Sequence, residues 1–300
     1  MKMTFDRVAV DGDILLYSVG FATQTNIYHV YKVGQWSGDP IWVMSDKRKL
    51  NALLKDEPDD YIVEKWVDVQ PAMSGCLTLD RILEGYQKRF GTKNIEVYLT
   101  GDENFRIPIS VTLPYKGNRL PDKPYNYQML KNFLIWKWKA TVVKYEEADD
   151  MLSKIMYASP RNVAVTEDKD LLNTPGYLYR REELILIDEA SATRNFYRQL
   201  LTGDKSTDNI QGVPGLGEVK ADKILAGAES WQELECRVGM QYALAYDDPE
   251  AVMTEMGQLL WMRRQDGELW RIGGQFETEK RKEQGSEVPE LGSRRLIKHV

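Results

Sequence analysis

The feature of this sequence that most restricts its fold is a series of short, β-type apolar runs that each end in acidic residues. The runs cover residues 7–10, 95–99, 141–143, 162–165 and 184–187. Helix-like segments separate most of them, at about 78–90, 125–138 and 148–158. Because parallel strands need crossover connections, this alternation predicts an α/β fold with a mostly parallel central sheet and helices on both faces.

Carboxylates follow all five runs, as single residues or as tight groups. In open parallel sheets, ligands bind beyond the carboxyl ends of the strands, where these side chains would meet. A single acid after a strand is usually a turn former or a helix cap, but several at one edge repel each other and raise one another's pKa values. A cation is the simplest resolution, so the sequence predicts a metal site. We leave out Asp188 because no helix signal follows it closely.

The available ligand types indicate which metal such a site would hold. Only two histidines occur, His29 and His299. Carboxylate oxygens without histidine or thiolate favour Mg²⁺ or Mn²⁺ over Zn²⁺, and the shortage of histidine argues against serine or cysteine hydrolases. Two divalent ions about 4 Å apart can activate water and stabilise the leaving oxygen of a phosphodiester. The acids are therefore suited to phosphodiester hydrolysis.

The charge balance is compatible with a polyanionic substrate once metals are counted. The formal net charge is −6, and two divalent cations would leave about −2. Two cysteines, Cys76 and Cys236, are too few for a disulfide framework and indicate a reducing compartment. The first residues do not resemble a signal peptide, and no uncharged apolar stretch approaches ~18 residues. We therefore expect a cytoplasmic protein without a membrane span.

The densest acidic cluster is Glu147-Ala148-Asp149-Asp150, at the end of the third run and the start of the next helix. Acids in a first helical turn also complement the helix dipole, which is the simpler explanation for any one of them. Three acids within four residues exceed what capping requires. We therefore expect this cluster to bind metal together with the acids that follow the other runs.

The segment Tyr115-Lys116-Gly117-Asn118-Arg119 places two basic residues before an aromatic-rich stretch. Lysine and arginine neutralise phosphates and aromatic faces stack on bases, so this segment is suited to gripping a nucleic-acid strand. The alternative is a solvated loop before an amphipathic helix whose aromatic side chains are core. For Phe133 and Trp136 we prefer the core interpretation.

The most distinctive stretch, residues 203–225, combines two aspartates, a glycine-rich hairpin and a lysine-bearing helix. The backbone N–H groups of such a hairpin and the positive end of a helix suit phosphate, and lysines add charge without reading bases. A lone Gly-x-x-Gly-x-Gly pattern is usually an ordinary tight turn, but two aspartates within reach of the same metal cluster strengthen the signal. The residues are Asp204, Asp208, Gly212, Gly215, Gly217, Lys220 and Lys223.

Together these motifs resemble the 5′-nuclease superfamily: flap endonucleases, the 5′-nuclease domain of bacterial DNA polymerase I and especially the small 5′→3′ exonucleases of tailed bacteriophages. The resemblance spans about residues 7–227. Besides the segments above, it includes Val10-Asp11-Gly12-Asp13, Asp102 and Thr166-Glu167-Asp168-Lys169-Asp170. It implies a PIN-like core, a helical arch and a C-terminal helix–three-turn–helix subdomain.

The resemblance also implies roles for single residues. Lys116 and Arg119 would contact the scissile phosphate at the base of the arch, with Tyr115 as a further DNA contact. Residues 208–225 would grip duplex DNA, in the family often with a bound K⁺. Two Mg²⁺ ions, for which Mn²⁺ can substitute, would be held by carboxylates. The first would be served by Asp11, Asp102, Glu147, Asp149 and Asp150, and the second by Asp168, Asp170, Asp204 and Asp208.

Three features depart from the family pattern. Asp204 and Asp208 are four residues apart where family members usually show three, so one of them is a candidate to lie outside the coordination shell. The stretch between Asp11 and Asp102 is long, which we attribute to an insertion at about 26–70 that contains a hairpin at the sheet edge. The arch, at about 105–138, is short for the threading of a long flap.

The sequence thus predicts a nuclease core over residues 1–190, a helical DNA-binding subdomain over 191–273 and a loosely ordered polar tail over 274–300. The resemblance implies a Mg²⁺-dependent 5′→3′ exonuclease and 5′ flap endonuclease that also removes RNA primers, in phage DNA replication or recombination. Expected partners are DNA with 5′ ends, flaps or nicks, RNA–DNA hybrids and replication proteins in the host cytoplasm. The alternatives are a PIN-type ribonuclease, usually shorter and without the glycine-rich hairpin, and a DNA-binding module without catalysis.

Overall fold

The structure, a computed structural model, describes residues 4–34, 38–55, 58–118 and 122–278. The strands are β1 (Arg7–Asp11), β2 (Gln24–Lys32), β3 (Trp42–Met44), β4 (Tyr61–Val69), β5 (Ile95–Thr100), β6 (Thr141–Val143), β7 (Asn162–Val165), β8 (Gly176–Arg180), β9 (Glu183–Ile187), β10 (Gly203–Asp204), β11 (Ile210–Gln211), β12 (Glu268–Arg271) and β13 (Gln275–Thr278). The α-helices are α1 (Gly12–Ala22), α2 (Lys47–Leu54), α3 (Ala72–Phe90), α4 (Arg106–Ile109), α5 (Tyr127–Lys137), α6 (Ala148–Ala158), α7 (Glu189–Thr202), α8 (Glu218–Leu225), α9 (Trp231–Ala245) and α10 (Pro249–Leu260). None of these described helices is long and apolar enough to cross a membrane.

The central sheet has six strands in the order β6-β5-β1-β7-β8-β9. All neighbours pair in parallel except β9, which returns antiparallel to β8 at one edge. The predicted mostly parallel sheet is therefore confirmed, and the fifth apolar run forms its antiparallel edge strand. β1 occupies the interior of the sheet because Val8, Ala9 and Val10 are apolar toward both faces and buried.

Helices cover both faces of the sheet, as predicted. On one face α1, α3 and α5 pack around a core that includes Leu16, Leu79 and Leu134. On the other face α6 packs against β1 and β7 through residues such as Leu152 and Met156. Burial of each such side chain contributes roughly 1.5–3 kcal/mol. The two layers therefore fix the sheet firmly, and with it the strand ends.

The helices follow the predicted segments, with differences at their ends. α6 covers the predicted residues, α5 is shorter, and α3 starts at Ala72 rather than at 78. The prediction that no helix follows Asp188 closely was wrong. α7 starts at the next residue, and the exposed Asp188 carboxylate caps it by accepting from the Ser191 backbone N–H at 2.7 Å. A capping aspartate has no need of a metal, which explains why this acid stands apart.

The insertion predicted at about 26–70 forms a small antiparallel sheet in the order β3-β2-β4. The hairpin-like pairing of β2 with β3 was expected, but the long strand β4 was not. β4 interrupts its apolar residues with Glu64, Lys65 and Asp68, which blurs the alternation that identifies a strand. Helix α2 packs against this sheet through Leu50.

Helices α7, α9 and α10 pack around a second core that includes Phe196, Tyr242 and Trp270. Phe196 lies with its ring centroid 4.9 Å from Trp261 and 5.3 Å from Trp270, distances at which aromatic pairs attract. The hairpin β12–β13 adjoins α10. Residues 275–278, predicted to be loose tail, are thus a strand, and residues 279–300 lie outside the described residues.

Candidate active site

A cleft of about 760 Å³ opens beyond the carboxyl ends of the central strands. Its acids come from four parts of the chain: the junction of β1 with α1, the segment after β5, the start of α6 and the segment after β7. Lysines and aromatic side chains line the same cleft. The acids are Asp11, Asp13, Asp102, Glu147, Asp149 and Asp168, the lysines are Lys116, Lys123 and Lys131, and the aromatic residues are Tyr17, Phe21, Tyr115 and Tyr127.

Asp11 is buried where β1 passes into α1. Its carboxylate accepts from the Ile14 backbone N–H at 3.1 Å and from the Thr166 hydroxyl at 2.8 Å. Burial, together with the charges of Asp13 and Asp168, raises the pKa of Asp11 to about 7. The two hydrogen bonds aim this carboxylate at its acidic neighbours, although ionising it there is unfavourable.

Asp149 is the carboxylate least matched to its surroundings. Its Oδ1 atom is buried and has no hydrogen-bond partner. Burial and the nearby charges of Asp11 and Asp168 raise the pKa of Asp149 well above its usual range. A buried, unpaired carboxylate among like charges is unfavourable, and a coordinated cation removes that cost. These donors are hard oxygens, so they fit Mg²⁺ or Mn²⁺.

Two predicted site residues, Lys116 and Glu147, contact each other. The Lys116 ammonium pairs with Glu147 Oε1, and the Lys116 backbone has φ 56°, a strained conformation for a lysine. The Tyr115 hydroxyl lies 2.7 Å from Glu147 Oε2 and 2.9 Å from Asp208 Oδ2. Burial alone would raise the pKa of Glu147, but the charges of Lys116 and Arg106 hold it below its usual value.

Asp150, predicted as a metal ligand, is bound by Arg106. Two guanidinium nitrogens donate to its two oxygens at 2.6 and 2.9 Å, and the Arg263 backbone N–H donates at 3.2 Å. The guanidinium also donates to the carbonyls of Leu259 and Trp261 at the end of α10, both at 2.9 Å. Burial would raise the pKa of Asp150, but Arg106 holds it low. The oxygens of Asp150 are therefore committed to protein donors, and they tie α6 to α4 and α10.

Asp168 and Asp170 lie together after β7. The Asp170 backbone N–H donates to Asp168 Oδ1 at 2.9 Å, and Gln199 Nε2 donates to Asp170 Oδ1 at 2.8 Å. Burial and the charges of Asp168 and Asp208 raise the pKa of Asp170 to about 7. A second group of mutually repelling carboxylates thus adjoins the first through Asp168.

Asp204 and Asp208, four residues apart, have different partners. Asp204 Oδ2 lies 2.9 Å from the Lys169 ammonium. Asp208 contacts Tyr115 and lies 3.9 Å from the Lys116 ammonium, and its carbonyl accepts from the Lys116 backbone N–H at 2.9 Å. Asp208 is therefore the one joined to the cleft, whereas Asp204 faces Lys169 beside it.

The glycine-rich hairpin precedes α8 as predicted. A Cβ at Gly212 would lie 2.3 Å from a backbone nitrogen of β10, so only glycine allows this approach of the two strands. Gly215 has φ +75°, which favours glycine, and Gly217 is the N-cap residue of α8. Lys220 and Lys223 are exposed on α8, and the Lys220 ammonium donates to the Gly215 carbonyl at 2.9 Å. This end of α8 presents N–H groups and charge that suit a phosphate backbone.

The structure brings the predicted ligands together only in part. Five of them line the cleft, Asp170 and Asp208 adjoin it, and Asp150 and Asp204 face an arginine and a lysine. In the ranges that the structure describes, no three His, Cys, Asp or Glu side chains are arranged to hold a metal ion as they stand. Arg119, the second predicted basic residue, lies outside the described residues.

Among the residues that were not predicted, Asp13 and Lys131 line the cleft, and the buried Arg106 binds the acids of α6. Asp13 accepts from the Thr100 backbone N–H at 2.8 Å, and its burial raises its pKa. Its position two residues after Asp11 was the available signal. Lys131 also had a signal in the sequence: it follows Tyr127 by four residues, so the two share one face of α5, and both line the cleft. Arg106 gave no such signal, because its partners are distant in the chain.

Comparison with known proteins gives matches among solved structures. No family model and no curated protein matches the chain. The bacteriophage T5 protein co-crystallised with metal ions matches with 15% identity and a TM-score of 0.49, over 84% of this chain and 88% of its own. The bacteriophage T5 flap endonuclease in a pseudo-enzyme–product complex with DNA and metal ions gives 14% and 0.43, over 62% and 79%. The catalytic core of Rad2 with DNA substrate gives 12% and 0.40, over 75% and 61%.

Identities of 12–15% and TM-scores below 0.5 do not assign an activity to this chain, so its function is inferred below from its own residues.

Proposed function

We propose that this chain is a metal-dependent nuclease that hydrolyses DNA phosphodiesters near 5′ ends, as a 5′→3′ exonuclease and 5′ flap endonuclease in DNA replication or recombination. The observation that carries the proposal is the buried Asp149 oxygen without a partner, set beside Asp11 and Asp168. The same cleft holds Lys116. Crowded carboxylates next to a lysine suit a positively charged cofactor together with a phosphate substrate.

Two Mg²⁺ ions, or Mn²⁺ in their place, would be held by the carboxylates in and beside the cleft. When bound, they supply an activated water and stabilise negative charge on the phosphate. We give Asp150 a positioning role instead, because Arg106 occupies both of its oxygens. The proposed ligands are Asp11, Asp102, Glu147 and Asp149 for the first ion and Asp168, Asp170 and Asp208 for the second. Asp13 and Asp204 would assist from beside the site without being ligands.

Lys116 would act on the scissile phosphate. Its ammonium now pairs with Glu147 Oε1, and a phosphate in the cleft would compete for it and take up its charge. Tyr115 would keep Glu147 in place during that exchange, because its hydroxyl lies 2.7 Å from the other carboxylate oxygen. Arg119 is proposed as a second cation for the same phosphate.

The remaining lining of the cleft suits a single-stranded 5′ end. The ring centroid of Tyr17 lies 6.2 Å from that of Phe21 and 5.4 Å from that of Tyr127, and the Lys123 ammonium lies 4.8 Å from the centre of the Tyr127 ring. Aromatic faces stack on bases of any sequence, and lysines such as Lys131 neutralise the backbone. This side of the cleft would therefore receive the unpaired end of a flap.

The glycine-rich hairpin and α8 are proposed to hold the duplex. Lys220 is exposed in the first turn of α8, beside its N-terminal N–H groups, and Lys223 is exposed in its last turn, so both can contact phosphates of any sequence. We also propose that this hairpin binds K⁺, as it often does in the family that the sequence resembles. The presence of this hairpin also argues against a PIN-type ribonuclease.

The second candidate is a DNA-binding protein without catalysis. The observation in its favour is that Lys116 already neutralises Glu147, and Lys169 already neutralises Asp204. These carboxylates need no metal as they stand. Calorimetric titration with Mg²⁺ separates the candidates, because only the nuclease should bind the ion at the cleft.

The direct test uses 5′-labelled flap, nicked and RNA–DNA hybrid substrates with Mg²⁺ or EDTA. Asp149→Asn and Asp170→Asn should lower turnover by about 100-fold or more while DNA affinity in Ca²⁺ changes little. Asp188→Asn is the matched control, because it removes the same charge at an exposed helix cap where asparagine caps equally well.

Full turnover in Asp149→Asn would refute the proposed metal site. Absence of Mg²⁺-dependent cleavage of every substrate by the wild-type protein would favour the non-catalytic candidate. Cleavage confined to the RNA strand would favour a ribonuclease.

A further inference from the structure

A second concave surface, the α3–α5 groove, lies between those two helices and has a volume of about 470 Å³. Its lining is mostly apolar, and two lysines lie in it beside the apolar side chains. The residues that matter here are Met73, Leu77, Phe133, Trp136, Lys137 and Lys139.

The apolar side chains of the α3–α5 groove are unusually accessible. Trp136 is 72% exposed, Met73 is 65% exposed and Leu77 is 49% exposed. The sequence expectation that Trp136 is core was therefore wrong, although Phe133 beside it does pack against the core. Clustered exposed apolar side chains mark interaction surfaces, and tryptophan and methionine are over-represented there. The groove is thus suited to receiving large apolar side chains of a partner.

The charged groups in the groove favour an acidic occupant. Asp80 accepts from the Lys137 ammonium and, at 2.8 Å, from Trp138 Nε1, so its charge is already compensated. Lys139 contacts only a neutral group among those described for its side chain, the Trp136 carbonyl at 2.9 Å. Lys139 also has φ 54°, a backbone conformation that a lysine adopts at some cost. Among the described contacts of Lys139 no carboxylate offsets its charge, so that charge is available to an acidic partner.

We propose that the α3–α5 groove docks an acidic segment of a partner protein, through two large apolar side chains that fit between Met73 and Trp136 and a carboxylate that meets Lys139. A second copy of this chain is the poorer occupant, because the same groove would have to offer a carboxylate to Lys139, and its Asp80 is already bound by Lys137 and Trp138. Nucleic acid is also poorer, because a backbone needs a track of cations, whereas one of the two lysines here is paired with Asp80.

Docking in this groove leaves the cleft open. Tyr127 and Lys131 line the cleft, whereas Phe133, Trp136 and Lys137 on the same helix line the groove. At 3.6 residues per turn, Trp136 lies about 180° around α5 from Tyr127. A partner could therefore hold the protein while the cleft is occupied, and the inference does not depend on the proposed nuclease activity.

The test selects a phage-displayed library of random peptides on the full chain and counter-selects on Trp136→Ala. Enriched peptides should carry acidic residues beside two large apolar side chains. Their fluorescein-labelled forms should bind the wild type with an affinity that Trp136→Ala lowers by about tenfold or more. Lys139→Glu should lower it as well, and added salt should weaken it.

Two variants outside the groove serve as matched controls. Trp66→Ala removes a tryptophan that is 57% exposed on β4, and Lys49→Glu reverses an exposed charge on α2, and both should bind as the wild type does. Leu77→Ala provides a second groove variant if Trp136→Ala fails to fold, as judged by circular dichroism.

No enrichment, enrichment of neutral or basic peptides, or equal binding by Trp136→Ala and Trp66→Ala would overturn the proposal. A wild-type dimer in sedimentation that Trp136→Ala dissociates would assign the groove to a second copy instead. Loss of single-stranded DNA affinity in Trp136→Ala, without any peptide binding, would assign it to nucleic acid.

Discussion

Replacing Arg106 by methionine, which removes the charge and keeps much of the side-chain length, should destabilise the whole protein. Arg106 is 2% exposed and Asp150 is fully buried. Breaking a buried ion pair by removing one partner costs about 3–5 kcal/mol, because the other charge is left unpaired. The carbonyls of Leu259 and Trp261 also lose a donor, which adds about 1 kcal/mol or more. We expect a total of about 4–6 kcal/mol, a large share of a folding free energy of about 5–15 kcal/mol.

Urea unfolding followed by circular dichroism measures this loss. With an m value of about 3 kcal/mol per M, the midpoint should fall by about 1.3–2 M. Asp150→Asn should also be costly, because it leaves Arg106 unpaired. The double variant should then be less destabilised than the sum of the single ones, by about 2 kcal/mol or more.

The exposed ion pair of Arg161 with Asp6 provides the control for this cycle. Its side chains are 64% and 54% exposed, so Arg161→Met should cost no more than about 1 kcal/mol. An Arg106→Met midpoint close to that of Arg161→Met would refute the assignment of Arg106 as a buried tie between α6 and α10. If the effects of Arg106→Met and Asp150→Asn were additive, the proposed coupling between Arg106 and Asp150 would be refuted.

Three further predictions concern the cleft and the sheet. Asp149→Asn should raise the melting temperature of the metal-free protein, because it removes a buried carboxylate that its acidic neighbours repel. The same substitution should reduce the stabilisation that Mg²⁺ provides. Thermal scans with Mg²⁺ and with EDTA test both effects, and a lower metal-free melting temperature would contradict the first. Lys116→Ala should slow cleavage more than it weakens DNA affinity, and the reverse split would make Lys116 a plain backbone contact. Hydrogen bonds from Arg7 hold the pKa of Glu96 below its usual value, so Glu96→Gln should lose stability near about pH 7, and the loss should fade as pH falls through the lowered folded-state pKa. Denaturant midpoints over pH test this, and a pH-independent loss counts against it.

The positions of the main acids could be predicted because each acid directly follows a strand in the sequence. A run of apolar residues fixes a strand, the carboxyl ends of parallel strands share one edge, and an acid after each strand therefore arrives in one place. Asp11, Asp102, Glu147 and Asp168 all line the cleft for this reason.

The partners of those acids could not be predicted, because they come from distant parts of the chain. Arg106 lies 44 residues from Asp150 and 153 residues from Leu259, whose carbonyl it also binds. No local pattern marks such a residue. The different surroundings of Asp204 and Asp208 likewise depend on which residues the turn between β10 and β11 meets in space.

Periodicity also leaves open what covers a helix face. The pattern on α5 correctly places Phe133 and Trp136 on neighbouring positions, but it cannot distinguish a face that packs against the core from one that meets solvent or a partner. Only the positions of α3 and α5 in space show that Trp136 lies at the rim of a groove.

The position of the Tyr115 hydroxyl limits how chimeras of this protein can be designed. A single O–H group lies within 3 Å of two carboxylates, that of Glu147 at the start of α6 and that of Asp208 between β10 and β11. A transplanted hairpin that lacks an acceptor at the place of Asp208 would leave the hydroxyl with Glu147 alone, and the hydroxyl would no longer join the hairpin to the start of α6. Chimeras should therefore carry Tyr115 and Asp208 together, as one inherited unit.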